Sequence, residues 1–392
     1  MSRVRRTPVA LLLAAAIAGC GGSQPVTLRV TAPSGLADAP VEVTVHGLDD
    51  RATLHASWRA FGGHVWSASV PLRSGTATLR GVDGMKFLWG MRPAGAAFKH
   101  PYFGAPVDGP SSAALSVTEG GKTVAHATLS RRITPASVRV RELTKRKDGV
   151  VGLLFAPKTR TRRPAAVVFG GSEGGNSMFD AAGLLAAHGY PTLSLTYFGV
   201  PGLPKELVNV PLEYFARAVR VLRRSPGVDP KRIAVMGTSR GGEAALLIAS
   251  TFPHLIHGAI GLVPSATVYP APAAELRAWT LHGKPVPLRQ IRVERIAGPV
   301  LTAGAGDDRV WASRPSVESI EHRLTAHHFR YEHHGLVYEQ AGHLIGLAVP
   351  YLPAPTTQIG DGGSARADTA AKADLWRHIL AFFAGQDQSR RG

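Results

Sequence analysis

The sequence predicts a two-domain protein of the α/β class, in which an all-β, immunoglobulin-like sandwich precedes a mostly parallel, helix-covered sheet. Three observations carry that expectation. Residues 24–135 read as short alternating strands broken by Gly and Pro. From residue 149 onward, strand-prone and helix-prone runs alternate, and one strand–turn–helix passage holds a serine between glycines. At 392 residues and 44% hydrophobic, the chain can bury a core large enough for two such domains.

The first residues read as an export signal. Arg3, Arg5 and Arg6 form a basic stretch, and residues 9–17 are apolar but too short to span a bilayer. Ile17-Ala18-Gly19-Cys20 then reads as a lipobox, with Cys20 the lipidated N-terminus of the mature chain. Residues 1–19 are therefore expected to be a lipoprotein signal peptide and 20–24 a flexible tether to a membrane surface of the cell envelope. A plain secretory signal with an incidental cysteine is the alternative. Cys20 is the only cysteine, so the folded body has no disulfide framework and no thiol nucleophile. No later stretch is long and apolar enough to be a transmembrane helix.

The formal charge of +18 favours anionic partners. The basic residues are spread, with clusters at 131–132, 145–147 and 160–163, and no nucleic-acid motif or aromatic stripe accompanies them. They read as a solvated basic surface, and nucleic-acid binding is not expected.

Residues 25–135 form the expected sandwich, with strands at 26–30, 41–45, 52–58, 65–70, 77–79, 114–117 and 124–129. Phe87, Trp89 and Met91 fall at spacing two, which suits core packing. His46, His55, His64, His100 and His126 lack metal-ligand spacing, and no metal or other cofactor is implied. Residues 136–148, where charge rises and the apolar pattern lapses, read as a linker.

Residues 149–386 form the expected second domain, with 387–392 a tail. Strands are expected at 165–169, 192–197, 233–236, 259–263 and 300–304. Helices are expected at 181–188, at 212–224 with Phe215, Val219 and Leu222 on one face, and at 375–383. This alternation gives a parallel sheet with helices on its faces. Ile233-Ala234-Val235-Met236 leads into Gly237-Thr238-Ser239-Arg240-Gly241, and a helix-prone run from Glu243 follows. Gly-x-Ser-x-Gly between a strand and a helix is a nucleophile elbow, the signature of the α/β-hydrolase fold.

A serine hydroxyl needs a base to take its proton and a carboxylate to orient that base; in this fold the chain order is Ser, acid, His. Ser239 is the candidate nucleophile. Asp308 is the candidate acid, because Asp308-Arg309-Val310-Trp311 forms the turn after strand 300–304; Asp307 is the runner-up. His343 follows a strand near 331–338 and is the candidate base. His333 and His334 are rivals within or beside that strand, while His327 and His328 read as surface residues. The oxyanion hole is expected from the backbone N–H of Arg240 and that of Ser172 or Glu173 in the glycine-rich loop 170–175. The other reading of that loop, a phosphate cradle, lacks the P-loop lysine and the full Gly-x-Gly-x-x-Gly pattern. Residues 264–299, rich in Pro and Ala, are long for a connection and read as a cap over an acyl pocket.

Several collinear segments carry a family resemblance. Gly84-Met85-Lys86-Phe87-Leu88-Trp89-Gly90-Met91, Leu212-Glu213-Tyr214-Phe215 and Gly237-Thr238-Ser239-Arg240-Gly241-Gly242-Glu243 are three of them. Asp307-Asp308-Arg309-Val310-Trp311, Gly342-His343, Gly362-Gly363 and Asp374-Leu375-Trp376 ahead of Phe382-Phe383 complete the set. Together the chain resembles the acyl-CoA thioesterase and bile-acid-CoA:amino-acid N-acyltransferase family over nearly everything after the lipobox. The resemblance implies a sandwich joined to an α/β-hydrolase domain, and an acyl thioester or ester as substrate. Amino-acid-conjugating members carry Cys at the nucleophile, whereas Ser239 stands here, so the resemblance implies a hydrolase. The alternatives left open are an exported carboxylesterase on lipid or envelope esters, an acyltransferase to amino acids, and a non-catalytic acyl-binding lipoprotein. The sequence does not indicate an oligomeric state.

Overall fold

The computed structural model describes residues 25–60, 63–93, 107, 111–159, 161–272, 276–353 and 360–388. The expected signal peptide, the tether with Cys20, and the tail beyond residue 388 lie outside the described residues. No helix among the described residues is long and apolar enough to cross a membrane.

The N-terminal half is a two-sheet sandwich. Thr27–Val30, Val43–Leu48 and Gly75–Leu79 form a three-stranded sheet. A six-stranded sheet is built around Ala52–Arg59, Val65–Leu72, Ser111–Glu119 and Lys122–Arg132. Strict alternation along Ala52–Arg59 turns Ala52, Leu54, Ala56 and Trp58 inward, as the period of a pleated strand requires. Phe87, Trp89 and Met91 are buried, but not on a strand: Gly81–Gly84 and Lys86–Trp89 are short helical turns that plug the sandwich. Arg131 departs from the expected solvated basic surface. It is 2% exposed and donates to the carbonyls of Ala32 and Ser130, which holds the edge strand Ser34–Leu36 in place.

The C-terminal half is built on an eight-stranded sheet. Its strands are β1 (Val138–Leu143), β2 (Val151–Pro157), β3 (Arg163–Phe169), β4 (Thr192–Thr196), β5 (Val228–Thr238), β6 (Ala259–Leu262), β7 (Val300–Ala305) and β8 (His333–Tyr338). The spatial order is β1-β2-β4-β3-β5-β6-β7-β8. The pairs β1–β2 and β2–β4 are antiparallel, and all the other pairs are parallel. Helices α1 (Phe179–Ala187), α2 (Leu212–Arg223), α3 (Arg240–Thr251), α4 (Ser313–Ala326) and α5 (Ala365–Gln388) cover it. Strands β3, β5, β6 and β7 are buried almost throughout, which explains their continuous apolar runs. This is the α/β-hydrolase arrangement, with the elbow serine at the C-terminal end of the central β5.

One expectation is corrected. Residues 136–148 are not a linker: 138–143 are β1, paired with β2 along its whole length. Arg139, Arg141 and Glu142 are exposed on this edge strand, so charge masks an alternation whose ends, Val138 and Leu143, are buried. The C-terminal helix also starts ten residues before the expected Leu375, in a polar first turn. The domains are packed on one another. Asp38 of the sandwich reaches His188 at the end of α1 and Trp376 of α5, and the core runs continuously from the sandwich into the sheet.

Candidate active site

Ser239 sits between β5 and α3 at φ 56°, ψ −122°, a strained conformation for a residue with a side chain. The turn closes only because its neighbours are glycines. A Cβ on Gly237 would stand 2.1 Å from the carbonyl oxygen of Gly241, and one on Gly241 would stand 2.1 Å from that of Gly170. The N–H of Ser239 is tied to the carbonyl of Leu262 on β6 at 2.8 Å. The serine is thus lifted above the sheet at the N-terminus of α3, where the helix dipole favours negative charge.

Two further residues come together beside it. His343 follows β8 in a loop anchored by hydrogen bonds from its own N–H to the Asp361 carbonyl and from the Gly342 N–H to Asp368. Nδ1 of His343 lies 3.0 and 2.9 Å from the two carboxylate oxygens of Asp308. The Asp308 side chain is only 1% exposed, and accepts from the N–H groups of Val310 and Trp311 and from the Ser313 hydroxyl. With Nδ1 facing Asp308, Nε2 is left free for proton transfer. Trp311 packs edge-on against the imidazole at 6.3 Å. The rivals are engaged elsewhere: Asp307 with Arg309 and the Gly363 N–H, His333 with Glu321, His334 with Glu332. His327 and His328 are exposed.

Ser239 and His343 line one cavity of about 560 Å³, with Ser172 and Glu173 at its rim and Leu344, Leu347, Val349 and Leu352 along its wall. Arg240 opens α3, so its N–H has no acceptor within the helix. Loop 170–175 lies directly against the elbow, since a Cβ on Gly171 would approach the Ser239 Cβ to 2.9 Å. The Glu173 carboxylate folds back to accept from the Gly171 N–H and the Ser177 hydroxyl. The buried Tyr197 hydroxyl fixes the carbonyls of Gly170 and Gly171.

The matching family model is that of the BAAT / acyl-CoA thioester hydrolase C-terminal domain, over residues 210–275 and 275–388. The peroxisomal succinyl-coenzyme A thioesterase of Mus musculus is 29% identical over 95% of this chain and 92% of its own length. The mitochondrial acyl-coenzyme A thioesterase 2 of Mus musculus is 29% identical over 95% of this chain and 85% of its own. The C-terminal part of the chain, residues 210–388, is similar to the acyl-CoA thioester hydrolase/BAAT family. This is a family of enzymes, and the similarity extends through the sandwich as well as the α/β domain. Among solved structures, a dienelactone hydrolase-like promiscuous phosphotriesterase from metagenomic libraries covers 64% of this chain and 99% of its own, at 17% identity and a TM-score of 0.44.

The residue after Ser239 belongs to a buried polar cluster that sequence reading missed. The Arg240 guanidinium donates to Glu243 at 2.7 Å and to the Tyr269 carbonyl, and lies near the Trp279 and Trp311 rings. Glu243 is fully buried and also accepts from the Trp279 indole at 2.7 Å and the Tyr269 N–H. Burial pushes its carboxyl up to about 7, against the pull of Arg240 and the two N–H donors. The pairing of Arg240 with Glu243 at i, i+3 was the available signal. Trp279 and Tyr269 come from residues 264–299, which corrects the expected cap: none of the described residues of that stretch lines the cavity. It instead buttresses the base of α3.

Proposed function

We propose that the chain hydrolyses acyl-CoA thioesters through Ser239, His343 and Asp308. Ser239 Oγ attacks the thioester carbonyl and its proton passes to Nε2 of His343, while Asp308 stabilises the imidazolium. The oxyanion is bound by the N–H of Arg240 and that of Ser172 or Glu173, and the loss of one such donor costs about 3 kcal/mol. Collapse breaks the carbon–sulfur bond, and the thiol leaves with the proton from His343. Water then attacks the seryl ester, gives a proton to His343, and releases the acid and the free hydroxyl.

The observation that carries this reading is that His343, held at Nδ1 by Asp308, lines the same cavity as the strained Ser239. The substrate class rests on the relatives, whose names are those of acyl-CoA thioesterases. A serine at this position supports hydrolysis rather than transfer to an amine. The test is turnover of acyl-CoA and of aryl esters by the parent and by Ser239→Ala, with fluorophosphonate labelling of Ser239. Unchanged turnover in the variant overturns the reading; faster turnover of aryl esters than of any acyl-CoA replaces it with a carboxylesterase. The lipobox supports a lipidated Cys20 and a place at the cell envelope. Mass spectrometry of the N-terminal peptide from cells tests that, with an unmodified cysteine as the contrary result.

A further inference from the structure

The cavity beside Ser239 is not a plain hydrocarbon pocket. Phe179, Leu344, Leu347, Val349 and Leu352 suit a methylene chain, but Asp180 of α1 and Lys372 of α5 line the same cavity. Lys372 is 1% exposed, among the most deeply buried large side chains of the protein, and among the described residues no hydrogen bond or ion pair reaches it. Asp368, one turn earlier on α5, is its nearest acid in sequence. One of its oxygens is taken by the Gly342 N–H, and the other has no hydrogen-bond partner, Lys372 included. Asp180 is half-buried, and its Oδ1 is a buried oxygen with no hydrogen-bond partner.

Leaving a buried ammonium and a buried carboxyl oxygen unpaired is costly, and it serves nothing if the ligand is a hydrocarbon. Both groups become satisfied by a ligand that brings its own polar end. Burial pushes Asp180 up to about 8, so it stands as a neutral acid able to donate. Lys372, brought down to about 8 by burial, still carries its charge near neutral pH. The pair therefore presents donors and a net positive charge. Asp361 lines the cavity at the His343 end, where its carboxyl disfavours an anion.

We propose that this site selects acyl groups carrying a second, distal carboxylate, the ω-carboxyl of a dicarboxylic acid thioester or ester, with Lys372 as the specificity-determining contact. The carboxylate accepts from the Lys372 ammonium and from the Asp180 carboxyl, while the reacting carbonyl lies at Ser239. The inference rests on the cavity beside Ser239 being the acyl pocket of the proposed hydrolase.

The experiment compares adipoyl-CoA with hexanoyl-CoA, which differ by the terminal carboxylate at equal chain length. The parent is expected to prefer adipoyl-CoA by about 10- to 100-fold in kcat/KM, the worth of a hydrogen-bonded charge pair. In Lys372→Met the ratio is expected to fall to about one or below. Lys372→Gln, which keeps a donor, supplies a second reading should the methionine variant melt early. A parent ratio near or below one, a ratio that survives both substitutions, or a preference for 6-aminohexanoyl-CoA overturns the proposal. Calorimetric binding of monomethyl adipate to Ser239→Ala, with methyl hexanoate as control, separates this failure from that of the hydrolase. Lys372-dependent binding without turnover keeps the carboxylate site and removes the hydrolase; turnover without carboxylate preference does the reverse.

Discussion

Asp308 and Asp307 are adjacent in the chain and face opposite ways: Asp308 meets Nδ1 of His343 at 2.9 Å, while Asp307 turns outward to Arg309. Only the first can fix the imidazole tautomer. Asp308→Asn is therefore expected to lower kcat by about 10⁴-fold, because an amide presents the wrong hydrogen-bonding partner to Nδ1. Asp307→Asn is expected to change kcat less than severalfold. Steady-state kinetics on one thioester decide the matter, and equal losses in the two variants would remove Asp308 from its role.

Glu243 holds the base of the elbow helix together. It is fully buried, and its carboxylate neutralises Arg240 while accepting from Trp279. Truncation in Glu243→Ala leaves a buried guanidinium without its counter-charge, a loss of about 3–5 kcal/mol. Thermal melts followed by circular dichroism are expected to drop by on the order of 10 °C. Glu243→Gln keeps the shape and an acceptor for Trp279, and should lose less. A melt unchanged in the alanine variant would mean that Arg240 finds water instead.

How much of this was legible in the sequence depends on whether the signal was local. The elbow, the parallel strands and the acid and histidine loops are short-range patterns, and Ser239, Asp308 and His343 fall where they point. Strand β1 was hidden because an edge strand tolerates charge on its open face, so Arg139, Arg141 and Glu142 read as linker. Phe87, Trp89 and Met91 mimic a strand period although the first two occupy a helical turn and Met91 follows it, because a plug between two sheets buries residues at any spacing. The positions of Trp279 around Glu243 and of Lys372 in the cavity are set by contacts distant in sequence, which no periodicity encodes.

Asp38 joins the two domains. Its carboxylate accepts from Nε2 of His188 at 2.6 Å and from the Trp376 indole at 2.7 Å. Asp38→Ala strands a buried indole N–H and is expected to cost about 1–3 kcal/mol. Another bridge between the domains, Arg366 to Asp83, is exposed on both sides, so Arg366→Ala is expected to leave the melt unchanged. Paired melts of the two variants test the contrast, and a larger loss in Arg366→Ala would reverse the assignment.

Asp180 gives a pH dependence with a definite sign. Burial raises its carboxyl from the ordinary 3.8 to about 8 in the folded chain. Below pH about 4 both folded and unfolded chains hold the proton, and the group makes no difference. Between about 4 and 8 the unfolded chain has released it while the folded chain keeps it. Folding then takes up a proton, and stability falls as pH rises, by at most about 1.4 kcal/mol per pH unit. Above about 8 both forms are ionised and the full penalty is in place. Asp180→Asn keeps the shape without the titration, so its melting temperature relative to the parent should climb from pH 4 to 8 and then level off. A difference constant across that range would mean that the carboxyl is ionised in the folded protein, and with it would go the neutral donor assigned to the cavity.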